Sequence, residues 1–147
     1  MIPQKRNIFC IIVHFGSQED TNLLLRQLCS GPRMPKRVVV VDHARVPLVA
    51  PSSVYSVIIE IVRPGRNAGY AAGINVGMEA LAGTIEPSDV VVCMNNDIQV
   101  SSTVLSHVYE QVHEGVIAGH HIWGVNLFSG RTIQEDFSQH RAWYVLP

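Results

Sequence analysis

The sequence predicts an α/β domain: a mostly parallel sheet with helices on both faces. Four β-branched apolar runs, at residues 8–13, 38–41, 54–62 and 90–94, alternate with helical patterns. Unbroken apolar runs of that length suit parallel strands buried on both faces. Of the 147 residues, 47% are apolar and only 16% charged, enough for one domain, 1–147, with a real core. Strand–helix–strand alternation in turn implies right-handed crossovers.

Residues 8–13 form the first expected strand, ending at His14-Phe15-Gly16. This opening run is short and broken by His14, with no small-residue cleavage site after it, so it reads as a strand and not a signal peptide. Ser17 then starts a capping-box pattern with Asp20, followed by a helix carrying Leu23, Leu24, Leu25 and Leu28. Ser30-Gly31-Pro32 stops it. The second strand, 38–41, ends in Asp42-His43, and 44–53, with two prolines and no periodicity, is a loop.

The third strand, 54–62, leads through Pro64-Gly65 into RNAGYAAGINVG and a helix over 68–82. Gly69, Gly73 and Gly77 recur every four residues, near one helical face. The spacing fits close packing on a sheet. It equally fits a backbone brought close to a phosphate or sugar. The fourth strand, 90–94, ends in Asn95-Asn96-Asp97. A helix over 101–114, with Val104, Leu105, Val108 and Val112 on one face, precedes a fifth strand at 116–122. Ser129-Gly130 reads as a turn between short strands at 125–128 and 131–133. The segment 131–147 is a tail of little pattern whose aromatic end needs a packing partner.

A net charge of −1 leaves no electrostatic footprint for nucleic acid or an anionic membrane. Cys10, Cys29 and Cys93 lack metal or redox spacing and read as small buried hydrophobes, which fits a reducing cytoplasm. No apolar run approaches the ~20 residues of a membrane span.

The polar strand ends and the glycine turn all fall at the carboxyl edge of the sheet, where open α/β sheets bind ligands at a reversal of strand order. If the first strand lies between the second and the fourth, Phe15, Asp42 and Asp97 converge on one crevice. No G-x-G-x-x-G follows the first strand and no Walker lysine loop occurs, which argues against NAD binding and P-loop chemistry. Asp97 beside two asparagine amides offers hard oxygens suited to Mg²⁺ or Mn²⁺, though Asn-Asn-Asp also makes an ordinary turn. Phe15 could stack on a base, Asp42 could accept hydrogen bonds from a base or ribose, and Arg66 and Asn67 could meet phosphate or sugar. His120 and His121, adjacent on a strand, would face opposite ways, and His140 is an outlying ligand candidate.

Four stretches, IIVHFGS, VVVVDHAR, RNAGYAAGINVGMEAL and VVCMNNDIQV, resemble in order the nucleotide-sugar-binding half of a family-two glycosyltransferase with the GT-A fold, in its rhamnosyltransferase-like branch. The third is the most specific: the family's Asn-x-Gly-aromatic-x-x-Gly-x-Asn pattern is matched by Asn67, Gly69, Tyr70, Gly73 and Asn75. The resemblance covers a nucleotide-sugar-binding core, residues 8–130. It implies Phe15 and Asp42 at the base, Arg66, Asn67 and Gly73 beside the nucleotide-sugar, and Asn95 and Asp97 at the ends of a D-x-D-type motif. Asp97 is then the metal ligand, and Asn95 departs from the usual first aspartate.

The resemblance further implies an inverting, metal-assisted transfer from a UDP-, dTDP- or GDP-sugar to a saccharide or lipid-linked acceptor in polysaccharide biosynthesis. The family's general base lies well downstream, whereas 50 residues follow Asp97 (147 − 97). Glu135 and Asp136, the late acidic pair, are the weak candidates in a fold read as shortened at its C-terminus. The alternative is a shortened, non-catalytic nucleotide-binding or assembly module. A nucleotidyltransferase fits less well, because its glycine-rich signature belongs after the first strand. A homodimer covering exposed apolar surface and a cytoplasmic location, peripheral at the inner face of a membrane, complete the expectations.

Overall fold

A computed structural model describes residues 6–50 and 56–117 and the short segments 128–129 and 132–133. The chain divides into two units, Met1–Tyr109 and Glu110–Pro147. In the first, β1 (Ile8–His14), β2 (Arg37–Asp42), β3 (Ile58–Val62) and β4 (Val90–Asn95) form one sheet in the order β3-β2-β1-β4, every pairing parallel. This is the Rossmann-like α/β fold that the alternation predicts. All seven residues of β1 are buried, as a central strand in an unbroken apolar run requires.

The two faces of the sheet are covered by different helices. α1 (Gln18–Cys29) starts at Ser17, whose hydroxyl accepts from the Asp20 backbone N–H at 3.2 Å. Its buried residues Thr21, Leu24, Leu25, Leu28 and Cys29 make one stripe of helical spacing. Thr21 touches His14, so α1 covers the face of Cys10, Ile12 and His14, which alternation sets on one side of β1. α2 (Tyr70–Leu81) covers the opposite face, where Ile74 and Leu81 join Phe9, Ile11, Val13, Val39 and Val41 in one core.

Glycines set how closely α2 approaches. A Cβ on Gly73 would lie 3.1 Å from Val13 and 3.0 Å from His43, and one on Gly77 would run into Ile11. Of the two meanings that the four-residue spacing left open, close packing is the one visible for these two glycines.

The amino edge is tied by hydrogen bonds. Asn7 donates from its backbone and its side chain to Asp89 Oδ1 at 2.9 and 3.0 Å, and Glu86 N donates to Oδ2 at 3.0 Å. Burial raises the Asp89 pKa, but these bonds and nearby Lys36 outweigh it and hold the carboxyl below the usual range. Arg37 pairs with Glu60 and donates to Thr84 Oγ1 at 3.2 Å.

Several expectations shift. β3 begins at Ile58; residues 54–55 lie outside the described ones. Cys10 and Cys29 are buried, but Cys93 is exposed. It lies on β4, which ends the described sheet and lacks a neighbour on its outer side there. α3 (Val104–Ile117) extends through 116–117, the first residues of the expected fifth strand; the rest of that strand lies outside the described residues. In the second unit, β5 (Phe128–Ser129) pairs antiparallel with β6 (Thr132–Ile133), so Ser129 belongs to a strand and not to the turn. Glu135, Asp136, His120, His121, His140 and the aromatic tail lie outside the described residues.

Candidate functional site

β1 lies between β2 and β4. The chain moves one way from β1 to β3 and then crosses back to β4, so strand order reverses between β1 and β4. The register pairs His14 with Asp42 and Val13 with Asn95. Three strand ends therefore stand side by side at the carboxyl edge.

The first carries Phe15, whose side chain is 63% exposed although it follows seven buried residues. Behind it, His14 Nδ1 lies 2.6 Å from Thr21 Oγ1 and 3.4 Å from Asn96 Nδ2, and His14 Nε2 lies 3.8 Å from Asp42 Oδ1. A neutral imidazole carries one N–H, and the 2.6 Å contact with Thr21 Oγ1 is the shortest the ring makes. Burial lowers the His14 pKa against the opposing pull of Asp42, so the ring is neutral near pH 7.

The second strand end carries Asp42, 2% exposed. Its Oδ1 accepts from Ala44 N and its Oδ2 from Leu48 N, both at 2.9 Å, and Arg63 Nε lies 3.4 Å from Oδ2. Arg63 also donates to Ala44 O at 2.8 Å. The carboxylate thus folds the following loop around itself. Contact with a base or ribose would require that loop to open. Gln18 Oε1 accepts from Val49 N at 3.0 Å and ties the same loop to the start of α1.

The glycine-rich turn is built as an Asx turn: Asn67 Oδ1 accepts from Gly69 N at 2.9 Å. Gly69 is the N-cap of α2 with φ +93°, a conformation that side chains disfavour, and it offers no side chain to cap the helix. Arg66 and Asn67 are exposed. Gly73 is buried between Val13 and His43, a packing position one turn into the helix.

The third strand end carries Asn95-Asn96-Asp97. Asn95 and Asp97 are exposed, while Asn96 between them is 5% exposed. Asn96 Oδ1 accepts from Phe15 N at 3.4 Å, and its Nδ2 donates to Ser17 O at 3.3 Å. The middle residue of the triplet binds the first strand's loop; the outer two face solvent.

Asn95 and Asp97 offer one amide oxygen and one carboxylate. That donor set fits Mg²⁺ or Mn²⁺ sharing a diphosphate and water, and it is too hard and too sparse for zinc. Among the described residues, no group of three His, Cys, Asp or Glu side chains could hold a metal by itself. Asp42 cannot complete one as it stands, because its side chain is sealed from solvent.

Phe15, Asn95 and Asp97 are brought together at the strand reversal; Arg66 and Asn67 stand in the turn before α2. Reading from residue types missed Asn96, His14, Thr21 and Arg63. The available signals were faint: a histidine ending an apolar strand, a threonine four residues after a helix cap, an arginine just before a proline. No helix among the described residues is long and apolar enough to cross a membrane. Comparison with protein-family models and with curated proteins returns no match to this chain.

Proposed function

We propose that the carboxyl edge binds a nucleoside diphosphate-sugar together with Mg²⁺ or Mn²⁺, and that the chain is a GT-A-type glycosyltransferase domain serving transfer to an acceptor hydroxyl. The observation that carries this reading is the reversal of strand order at β1, which sets exposed Phe15 beside exposed Asn95 and Asp97. Phe15 supplies a face for a base. Asp97, with Asn95, supplies oxygens for the cation. The N-terminus of α2, without a side-chain cap and with no acidic residue in its first turn, favours an anion on the same edge.

When bound, the cation would neutralise charge developing on the leaving diphosphate. Attack by the acceptor hydroxyl needs a carboxylate base, and none is assigned among the described residues. Asp42 serves by ordering the loop around 44–48 and not as the base, since both its oxygens are engaged.

Calorimetric titration with UDP, dTDP and GDP, each with and without Mn²⁺, tests the reading. One nucleotide is expected to bind only with the metal. Phe15→Ala should weaken it about fivefold or more, because base stacking on an aromatic ring contributes about 1–3 kcal/mol. Asp97→Ala should abolish the metal dependence. Folded protein that binds none of the three, or binds one equally well in both variants, would sink the proposal. Binding without sugar turnover would leave the non-catalytic nucleotide-binding module.

A further inference from the structure

We infer that Asn96 is a positioning residue that couples the two halves of this site, the Phe15 segment and the Asp97 segment; the inference rests on the nucleotide reading of the same edge. Asn96 lies one residue beyond β4 and is 5% exposed, while its neighbours Asn95 and Asp97 are exposed. An asparagine that merely forms a turn bonds to its own backbone about two residues on. The Asn96 side chain instead reaches across the reversal point: Oδ1 to Phe15 N at 3.4 Å, Nδ2 to Ser17 O at 3.3 Å, and Nδ2 to His14 Nδ1 at 3.4 Å.

All three partners belong to the end of β1 and the loop that follows it, the segment that presents Phe15. Each bond is long and weak singly, but together they fix one loop against the other. The chemistry suits asparagine: Phe15 N–H takes an acceptor, Ser17 C=O, which also accepts from Thr21 N and Oγ1 at 3.4 Å, takes a further donor, and an amide is the short uncharged side chain that provides both. Aspartate keeps the acceptor, loses the donor and buries a charge. Alanine leaves both backbone groups without this partner. Asp97 is one peptide unit away, so the clamp sets the spacing between the aromatic ring and the carboxylate before any ligand arrives. Such preorganisation raises affinity by reducing the ordering cost of binding.

The test has two readouts on the full chain. The first needs no ligand. Backbone amide exchange at Phe15 and Gly16 should accelerate about tenfold in Asn96→Ala, with Ile11 and Ile12 unchanged, the scale of one lost hydrogen bond. The second is affinity for the Mn²⁺ complex of UDP, dTDP or GDP, whichever binds. It should fall about tenfold in Asn96→Ala. In the parent protein, the losses from Phe15→Ala and Asp97→Ala should be less than multiplicative, and with Asn96→Ala added they should become multiplicative, as for sites that no longer interact.

Asn7→Ala, which removes a side-chain hydrogen bond at the opposite edge (Asn7 Nδ2 to Asp89 Oδ1), should lower the melting temperature and leave both readouts unchanged. A role in stability alone predicts the same pattern for Asn96→Ala. Unchanged exchange at Phe15, or the same non-additivity with and without Asn96, overturns the inference. A parent protein that binds no nucleotide overturns the functional reading and the coupling with it, while the exchange result still reports on the clamp itself. Should Asn96→Ala fail to fold, Asn96→Ser, which retains a small hydroxyl, carries the same measurements.

Discussion

Taken out of water between Thr21 and Asp42, His14 is held neutral, and that has a measurable consequence. Burial lowers its pKa in the folded protein below the ordinary histidine value of about 6.5. The unfolded chain therefore takes up this proton first as pH falls. The stability contributed by the neutral ring is fully present above about pH 6.5 and declines below it, levelling off beneath the folded-state pKa. The slope can reach about 1.4 kcal/mol per pH unit. Melting curves of the parent should fall below about pH 6.5 more steeply than those of His14→Gln. Parallel curves for the two proteins would mean that His14 is not the group titrating. Asp42 belongs to the same cluster, and neither residue's burial was legible in the sequence. A polar residue at a strand end ordinarily meets solvent, and only the fold shows that the two side chains meet each other. The Asn95-Asn96-Asp97 triplet is a second case. It reads as one polar cluster, yet the period of the strand continues past its end and turns the middle residue inward.

At the scale of the element, α2 is where pattern and packing agree most closely. Its glycine spacing left close approach to a sheet as one of two readings, and the space at Gly77 is already filled by Ile11. Gly77→Ala should gain about 1 kcal/mol in helix propensity and lose about 1–3 kcal/mol to overpacking, for a net loss of stability. Denaturant unfolding of Gly77→Ala is compared with that of Gly83→Ala, a control without overpacking that lies beyond the end of α2, where a Cβ meets nothing within 4 Å. Gly83→Ala is expected to unfold at the parent's midpoint or above it. Equal stability for the two variants would mean that α2 sits farther from β1. The start of α1 was equally legible, since Ser17 and Asp20 form a local signal that needs no tertiary context. Cys93 was not. An apolar strand pattern predicts burial on both sides, and nothing within residues 90–95 marks β4 as the last strand of the described sheet.

At the scale of the whole first unit, strand order decides what the individual motifs can do. The alternation of runs made a parallel sheet legible, and the polar strand ends marked its carboxyl edge. That β1 stands between β2 and β4 was a condition and not a deduction, because each apolar run is equally suited to the centre. The observed order satisfies it, and so the proposed ligand would bridge segments whose sequence positions lie about 80 residues apart. Binding at such a site stabilises the fold that assembles it. At a ligand concentration a hundredfold above Kd, about 2.7 kcal/mol is added. For a unit of about a hundred residues this raises the melting temperature on the order of 10 °C. Thermal unfolding with saturating nucleotide and Mn²⁺ should show that rise in the parent and little of it in Asp97→Ala. Asn7→Ala should melt lower without ligand yet gain the full increment, because the side-chain bond it removes, to Asp89, lies at the opposite edge. An increment that survives Asp97→Ala would move the ligand away from the strand reversal, and with it the claim that the carboxyl edge is the working face of this fold.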